Sequence, residues 1–263
     1  MRILVTNDDG ISSPGLHALA VAVAEEGHEP VIAAPSSDWS GASACLGPLD
    51  DPDRVRVERV NLDGLPTIGY AVGAPPALIT MLADLGGFGP PPDLVVAGIN
   101  RGLNTGRSTL FSGTIGAILA GERFGLSGMA VSADVQVTGA LGADGPVHWE
   151  TAAAVAKTVL PWLISAPSRT LLNLNVPDLA LTEIQGIRWA GLAPVGGVRT
   201  VITGNDPTGL NLDLVTNDEL MPDSSDTALV RSGWTTVTPL VPTSAAKMSL
   251  PVDKWERALG LGD

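Results

Sequence analysis

Short branched apolar runs alternate with longer stretches of helical spacing through the first half of the chain, an order that predicts a parallel α/β sheet. Ile3 to Val5 form an uncharged run closed by a turn, as a strand buried on both faces would. Ser13 and Pro14 then open a helix whose Leu16, Leu19, Ala20 and Val23 repeat at i, i+3, i+4 and i+7, and Gly27 ends it. Val31 to Ala34 is the second strand. Leu78, Met81, Leu82 and Leu85 repeat the helical spacing, and the Pro90-Pro91-Pro92 turn leads into a third strand, Leu94 to Ala97. A helical pattern at Ile115, Ile118 and Leu119 precedes a fourth, Met129 to Ser132. Residues 1–135 are therefore expected to form a four-strand, Rossmann-like doubly wound core.

The second half is less regular. Its helical pattern from Trp149 to Ile164 is compromised by Pro161, and strands near Leu171, Ile187, Val201, Leu212 and Val237 are separated by Gly, Pro and Asn. Residues 136–263 read as an α+β extension that completes the core and forms an oligomer interface. Trp189, Trp234 and Trp255 lie there, and apolar strands with few helices to cover them find cover in another copy of the chain.

Composition narrows the function classes. With 263 residues, 44% hydrophobic and 16% charged, the chain is an ordinary globular protein, and its net charge of −13 argues against a nucleic-acid polymer as partner. A small phosphorylated substrate would need a cation to offset that field. Cys45 is the only cysteine, which excludes an internal disulfide or a thiolate zinc cluster and fits a reducing cytoplasm. The first apolar run is too brief for a signal-peptide core, and no run reaches the roughly 18 residues of a membrane span.

Candidate chemistry lies in the loops after the strands. Asn7-Asp8-Asp9-Gly10 follows the first, Ser40 sits in the loop after the second, and Asn100 in Gly98-Ile99-Asn100-Arg101-Gly102 follows the third. Singly, paired aspartates bond local amides, a serine caps and an asparagine turns the chain. Their convergence on one sheet edge points instead to an oxygen-rich site for Mg²⁺ or Mn²⁺. Ser112-Gly113-Thr114 offers hydroxyls and free amides at a helix start, suited to a phosphate, although simple N-capping accounts for it equally well. Arg107 is a secondary candidate for a phosphate clamp, although a solvated surface arginine is the more common outcome. His17, His28 and His148 are too scattered for a metal cluster or a Ser–His pair, and no G-x-S-x-G, G-x-x-x-x-G-K, G-x-G-x-x-G or H-E-x-x-H is present.

The segment Met1 to Gly10, Ser40-Gly41, Gly98 to Gly102 with Asn104 and Gly106, and Ser112-Gly113-Thr114 together resemble the SurE family, the survival-protein nucleotidases. The likeness continues through Asn173-Leu174-Asn175-Val176-Pro177, Asp226-Thr227 and Val237-Thr238-Pro239-Leu240. The resemblance implies a Rossmann-like core, dimers or tetramers, and a metal-dependent phosphatase of nucleoside 5′- and 3′-monophosphates. It implies one divalent cation per chain on Asp8, Asp9, Ser40 and Asn100, and phosphate contacts from Asn104, Ser112, Gly113 and Thr114. The chain departs from the family pattern at Ala44, at Leu46-Gly47, at Gly73-Ala74-Pro75-Pro76-Ala77 and in the Gly-rich stretch Gly191 to Thr203.

The mechanism expected from these residues is metal-assisted hydrolysis, with Asp8 or Asp9 accepting a proton from water. The altered positions bear on nucleoside preference more than on the chemistry. Two alternatives are a phosphatase for another phosphorylated metabolite and a catalytically silent metal- and nucleotide-binding homologue.

Overall fold

The first apolar run folds as strand β1, Arg2–Thr6, and a tight turn leads to helix α1, Pro14–Glu25. Ser13 occupies the N-cap position before Pro14, yet its side chain makes no capping hydrogen bond. There follow β2 (Glu29–Pro35), β3 (Val57–Asn61), β4 (Ile68–Val72), α2 (Pro76–Asp84), β5 (Leu94–Arg101), a 3₁₀ segment (Gly106–Phe111), α3 (Gly113–Arg123) and β6 (Ser127–Ala133). The second half adds α4 (Trp149–Ser165), β7 (Leu171–Val176), β8 (Ile187–Trp189), β9 (Val198–Asp206), β10 (Gly209–Thr216), α5 (Asp226–Arg231) and β11 (Thr235–Leu240). This computed structural model describes residues 1–51, 53–65, 67–135, 147–217, 221–246, 248–249, 251–252 and 255–256.

One sheet has the order β3-β4-β2-β1-β5-β6-β7-β11-β8, and β9 and β10 pair apart from it as a hairpin. The strands from β4 to β7 in this order run parallel, while β3 and β11 join antiparallel. Alternate residues of β1 divide between two cores. Ile3 and Val5 pack with Leu16, Leu19 and Leu160 on the α1 and α4 side, and Leu4 packs with Ile79, Val95 and Ile118 on the α2 and α3 side. Each such side chain contributes about 1.5–3 kcal/mol by leaving water. β1 pairs with β2 on one flank and β5 on the other, so the winding reverses there and a crevice opens at their carboxyl ends.

The structure departs from the sequence pattern at several points. β3 and β4 were not expected, because β3 is an exposed edge strand with no apolar face to read and β4 is short. α4 continues through Pro161 to Ser165. The missing amide deprives only the carbonyl of Lys157, a partly exposed residue at the middle of the helix. β7 lies beside β6 in the parallel sheet and α4 packs on α1.

α1 lies directly on the end of β5. A methyl added at Gly15 would come within 2.2 Å of the Ile99 carbonyl oxygen and 3.1 Å of the Trp149 ring. Gly15→Ala is therefore expected to cost about 1–3 kcal/mol, lowering Tm by roughly 2–4 °C per kcal/mol in a thermal melt. Gly191→Ala, which meets no atom within 4 Å, should melt with wild type. Equal melting of both variants would contradict this packing.

Candidate active site at the carboxyl ends of β1 and β5

The turn after β1 is closed by Asn7, a fully buried side chain. Its Oδ1 accepts from the Gly10 amide at 3.1 Å and its Nδ2 donates to the Gly10 carbonyl at 3.0 Å. The turn sends Asp8 inward and leaves Asp9 half-buried. Asp8 is 3% exposed, and its Oδ1 accepts the Thr114 hydroxyl at 2.5 Å. Gly113 makes this approach feasible, since a methyl there would lie 2.8 Å from Asp8 Oδ2. Asp9 Oδ2 accepts the Arg101 amide at 3.3 Å, which binds the first loop to the end of β5.

Asn100 reaches the same point because β5 breaks register with β6 between Ala97 and Asn100. Only glycine fits at 98, where φ is +130° and a methyl would meet the Val131 carbonyl oxygen at 2.3 Å. The Asn100 Nδ2 donates to the Gly102 carbonyl at 2.7 Å, so its Oδ1 faces Thr114, 3.3 Å from the hydroxyl. Ser40 is exposed on the loop after β2, which docks through the Trp39 amide on the Asp8 carbonyl at 2.8 Å. Asp8, Asp9 and Asn100 are thus gathered by direct contacts, and the Ser40 loop is fastened beside them.

The Ser112-Gly113-Thr114 turn has commitments of its own. Ser112 is the α3 N-cap, accepting the Ile115 amide at 3.1 Å, a bond that does not use its O–H as donor. The Thr114 hydroxyl and amide both serve Asp8. The helix start therefore already holds one anion, a protein carboxylate, and the groups left for a phosphate are the Ser112 hydroxyl and the Gly113 amide. Arg107 is exposed on the 3₁₀ segment.

Asn104 sits in a bracket whose role the sequence pattern did not reveal. Its amide donates to Asn175 Oδ1 at 2.8 Å, its carbonyl accepts from Asn173 and Asn175 at 2.8 and 3.0 Å, and its Nδ2 donates to Ser132 at 2.9 Å. Asn173 and Asn175 were available only as motif residues. The signal was their alternation in the apolar strand Leu171–Val176: two buried amides on one face must find partners. Ala74 and Ala77, two of the departures from the family pattern, are fully buried and so alter packing rather than a surface open to substrate.

Charge concentrates here: among the described residues no ion pair reaches Asp8 or Asp9, and Arg101 offsets the Asp9 charge only weakly. Burial raises the Asp8 carboxyl above its usual range, against the lowering from Thr114 and backbone amides. Burial, then the neighbouring Asp8, pushes Asp9 up from 3.8 to about 7, and Asp38 adds in the same direction. Among the described residues no three His, Cys, Asp or Glu side chains form a metal cluster. A cation here would draw on Asp8, Asp9, the Asn100 amide oxygen, Ser40 and water, an all-oxygen set that suits Mg²⁺ or Mn²⁺. The donor chemistry and the unbalanced negative charge both fit such an ion.

A doubly wound α/β sheet with an acidic, oxygen-lined crevice at its switch point defines the class of this protein. The family model of Survival protein SurE matches residues 3–195, and the chain belongs to that family. It is 38% identical to the 5′/3′-nucleotidase SurE of Cronobacter sakazakii, over 99% of this chain and 98% of the relative. It is 36% identical to the 5′/3′-nucleotidase SurE of Edwardsiella ictaluri, over 91% and 89%. The crystal structure of the SurE protein from Aquifex aeolicus superposes with a TM-score of 0.74 at 26% identity, covering 99% of this chain and 100% of that one. Among the described residues no helix is long and apolar enough to cross a membrane.

The raised carboxyls fix a sign for stability. A group whose folded pKa lies above its unfolded value stabilises the fold when protonated, and Asp9 loses that contribution as pH rises from about 4 to about 7. Asp8 and Asp134 shift in the same direction, Asp134 chiefly through burial. In EDTA, Tm should fall between pH 5 and pH 8. Asp9→Asn should flatten part of that slope, and Mn²⁺ should remove the share from Asp8 and Asp9 in wild type while leaving that from Asp134. A Tm that rises over this window in EDTA would contradict the electrostatic picture.

Proposed function

We propose that this chain is a divalent-cation-dependent phosphomonoesterase acting on nucleoside monophosphates, a 5′/3′-nucleotidase. One observation carries the reading: Thr114 joins Asp8 and Asn100, so the acidic pair lies against the first turn of α3 and the candidate phosphate donors Ser112 and Gly113. The names of the family relatives support the nucleotide as substrate. Asp8, Asp9, Ser40 and Asn100 would hold one Mg²⁺ or Mn²⁺ per chain, which supplies charge neutralisation and a more acidic water.

The protein's own groups do the rest. The Ser112 hydroxyl and Gly113 amide donate to phosphoryl oxygens, and Asn104, held by Asn173, Asn175 and Ser132, orients the ester. Asp8 and Asp9 are the candidate proton acceptors, and as adjacent coupled carboxylates they titrate as a pair. Ala74 and Ala77 are buried and so alter packing, whereas Ala44 is exposed and leaves substrate preference to the assay.

Phosphate release from nucleoside 5′- and 3′-monophosphates, with Mg²⁺, Mn²⁺ and EDTA compared, tests the proposal. Asp8→Asn and Asp9→Asn should each lose at least about 100-fold in kcat/KM with the fold intact, and Thr114→Val should lose Mn²⁺ affinity by about tenfold or more. Wild-type turnover in EDTA, or near-wild-type turnover by either aspartate variant at saturating Mn²⁺, would reject the metal assignment.

The working unit in this proposal is a homo-oligomer, a dimer or tetramer. The β9–β10 hairpin stands off the main sheet with Val198, Ile202, Leu210 and Leu212 each more than half exposed, and Trp189 on edge strand β8 is 72% exposed. Light scattering should give a mass of at least two chains of 26.9 kDa, and a single-chain mass at micromolar concentration would refute it.

A further inference from the structure

Asp226, at the first position of α5, is fully buried and ties the second half of the chain to the loop that carries Asn104. Its Oδ2 accepts the Gly106 amide at 2.8 Å, and its Oδ1 accepts the amides of Ala193 at 2.9 Å and Thr227 at 2.8 Å. Its own amide donates to the Gly191 carbonyl at 2.9 Å. A buried carboxylate needs such donors to offset lost hydration. The Thr227 hydroxyl adds a longer contact at 3.4 Å, but the donors from distant segments, Gly106 and Ala193, are main-chain amides, so what Asp226 fixes between segments is backbone position.

The fit between those segments is close. Gly106 has φ +58°, and a methyl there would lie 2.0 Å from the Val195 carbonyl oxygen. A methyl at Gly196 would lie 1.9 Å from Ser108 Oγ. The Gly-rich stretch that departs from the family pattern is thus seated on the 3₁₀ segment. The loop is gripped at Asn104 by Asn173 and Asn175, at Gly106 by Asp226, and it runs directly to Ser112.

We propose that Asp226 is a positioning residue for the phosphate side of the site, setting the path of residues 104–112 without touching the cation side. The role in turnover rests on the phosphatase reading above. Loosening this grip displaces Asn104 and Ser112 while Asp8, Asp9 and Asn100 keep their own contacts.

The test uses full-length Asp226→Asn with Mn²⁺, alongside wild type. Amide hydrogen exchange over residues 104–111 should quicken by about tenfold or more, and KM for adenosine 5′-monophosphate should rise about tenfold. kcat should stay within a few-fold and Mn²⁺ affinity by calorimetry should not change, a split that general destabilisation would not produce. Gly196→Ala gives the same displacement through Ser108 with the Asp226 carboxylate intact, and Ser108→Gly should rescue it; this pair decides the matter if Asp226→Asn does not fold. Wild-type exchange and KM in the folded variant, or a fall in kcat and Mn²⁺ affinity at unchanged KM, would overturn the proposal. A wild-type protein inert toward nucleoside monophosphates would refute the phosphatase reading alone. Calorimetric binding of inorganic phosphate then decides the positioning role, which unchanged affinity in Asp226→Asn would overturn.

Discussion

The Asp8 carboxylate, nearly cut off from solvent, presses on the first turn of α3, where the Thr114 hydroxyl donates to it at 2.5 Å. A negative group at a helix start is favoured by the free amides and the helix dipole, and that attraction offsets part of the cost of burial. The contact also fixes α3 relative to β1, so Ser112 and Gly113 stand beside the acidic pair. The same hydroxyl lies within reach of Asn100, which joins the end of β5 to the arrangement. Residual negative charge on Asp8 and Asp9 is what a divalent cation would neutralise, and it makes the metal-free state sensitive to pH in the direction opposite to an ordinary salt-bridged carboxylate.

Glycines make this proximity sterically feasible. Gly113 admits the Asp8 side chain, Gly98 lets β5 bend beside Val131, and Gly15 lets α1 lie on the Ile99 carbonyl. In each case the obstacle to a larger residue lies far away in sequence. The second half of the chain acts in a related way: β7 supplies Asn173 and Asn175, and α5 supplies Asp226, so the loop between β5 and α3 is shaped from two sides. Part of the site's support therefore comes from elements that carry none of the candidate metal ligands.

Much of this architecture was legible from apolar spacing. The strands at Ile3, Val31, Leu94 and Met129 and the helices between them appeared because each buries one or both faces, which leaves a periodic trace. β3 left none, as an edge strand exposed along nearly its whole length. Pro161 misled because helix propensity is local, whereas α4 is held by its packing on α1 and loses only one hydrogen bond.

The sequence by itself determined the strand–loop positions of Asp8, Asp9, Ser40 and Asn100, since residue type and distance from an apolar strand end are local properties. It also determined that Ser112 precedes a helix. Tertiary structure alone decided that Thr114 serves Asp8 rather than standing free, that Asn104 is bracketed by Asn173 and Asn175, and that Asp226 holds Gly106. These pairings join residues 69 to 120 positions apart, and they arise because buried polar groups must find partners wherever the packed sheet brings them within hydrogen-bond reach.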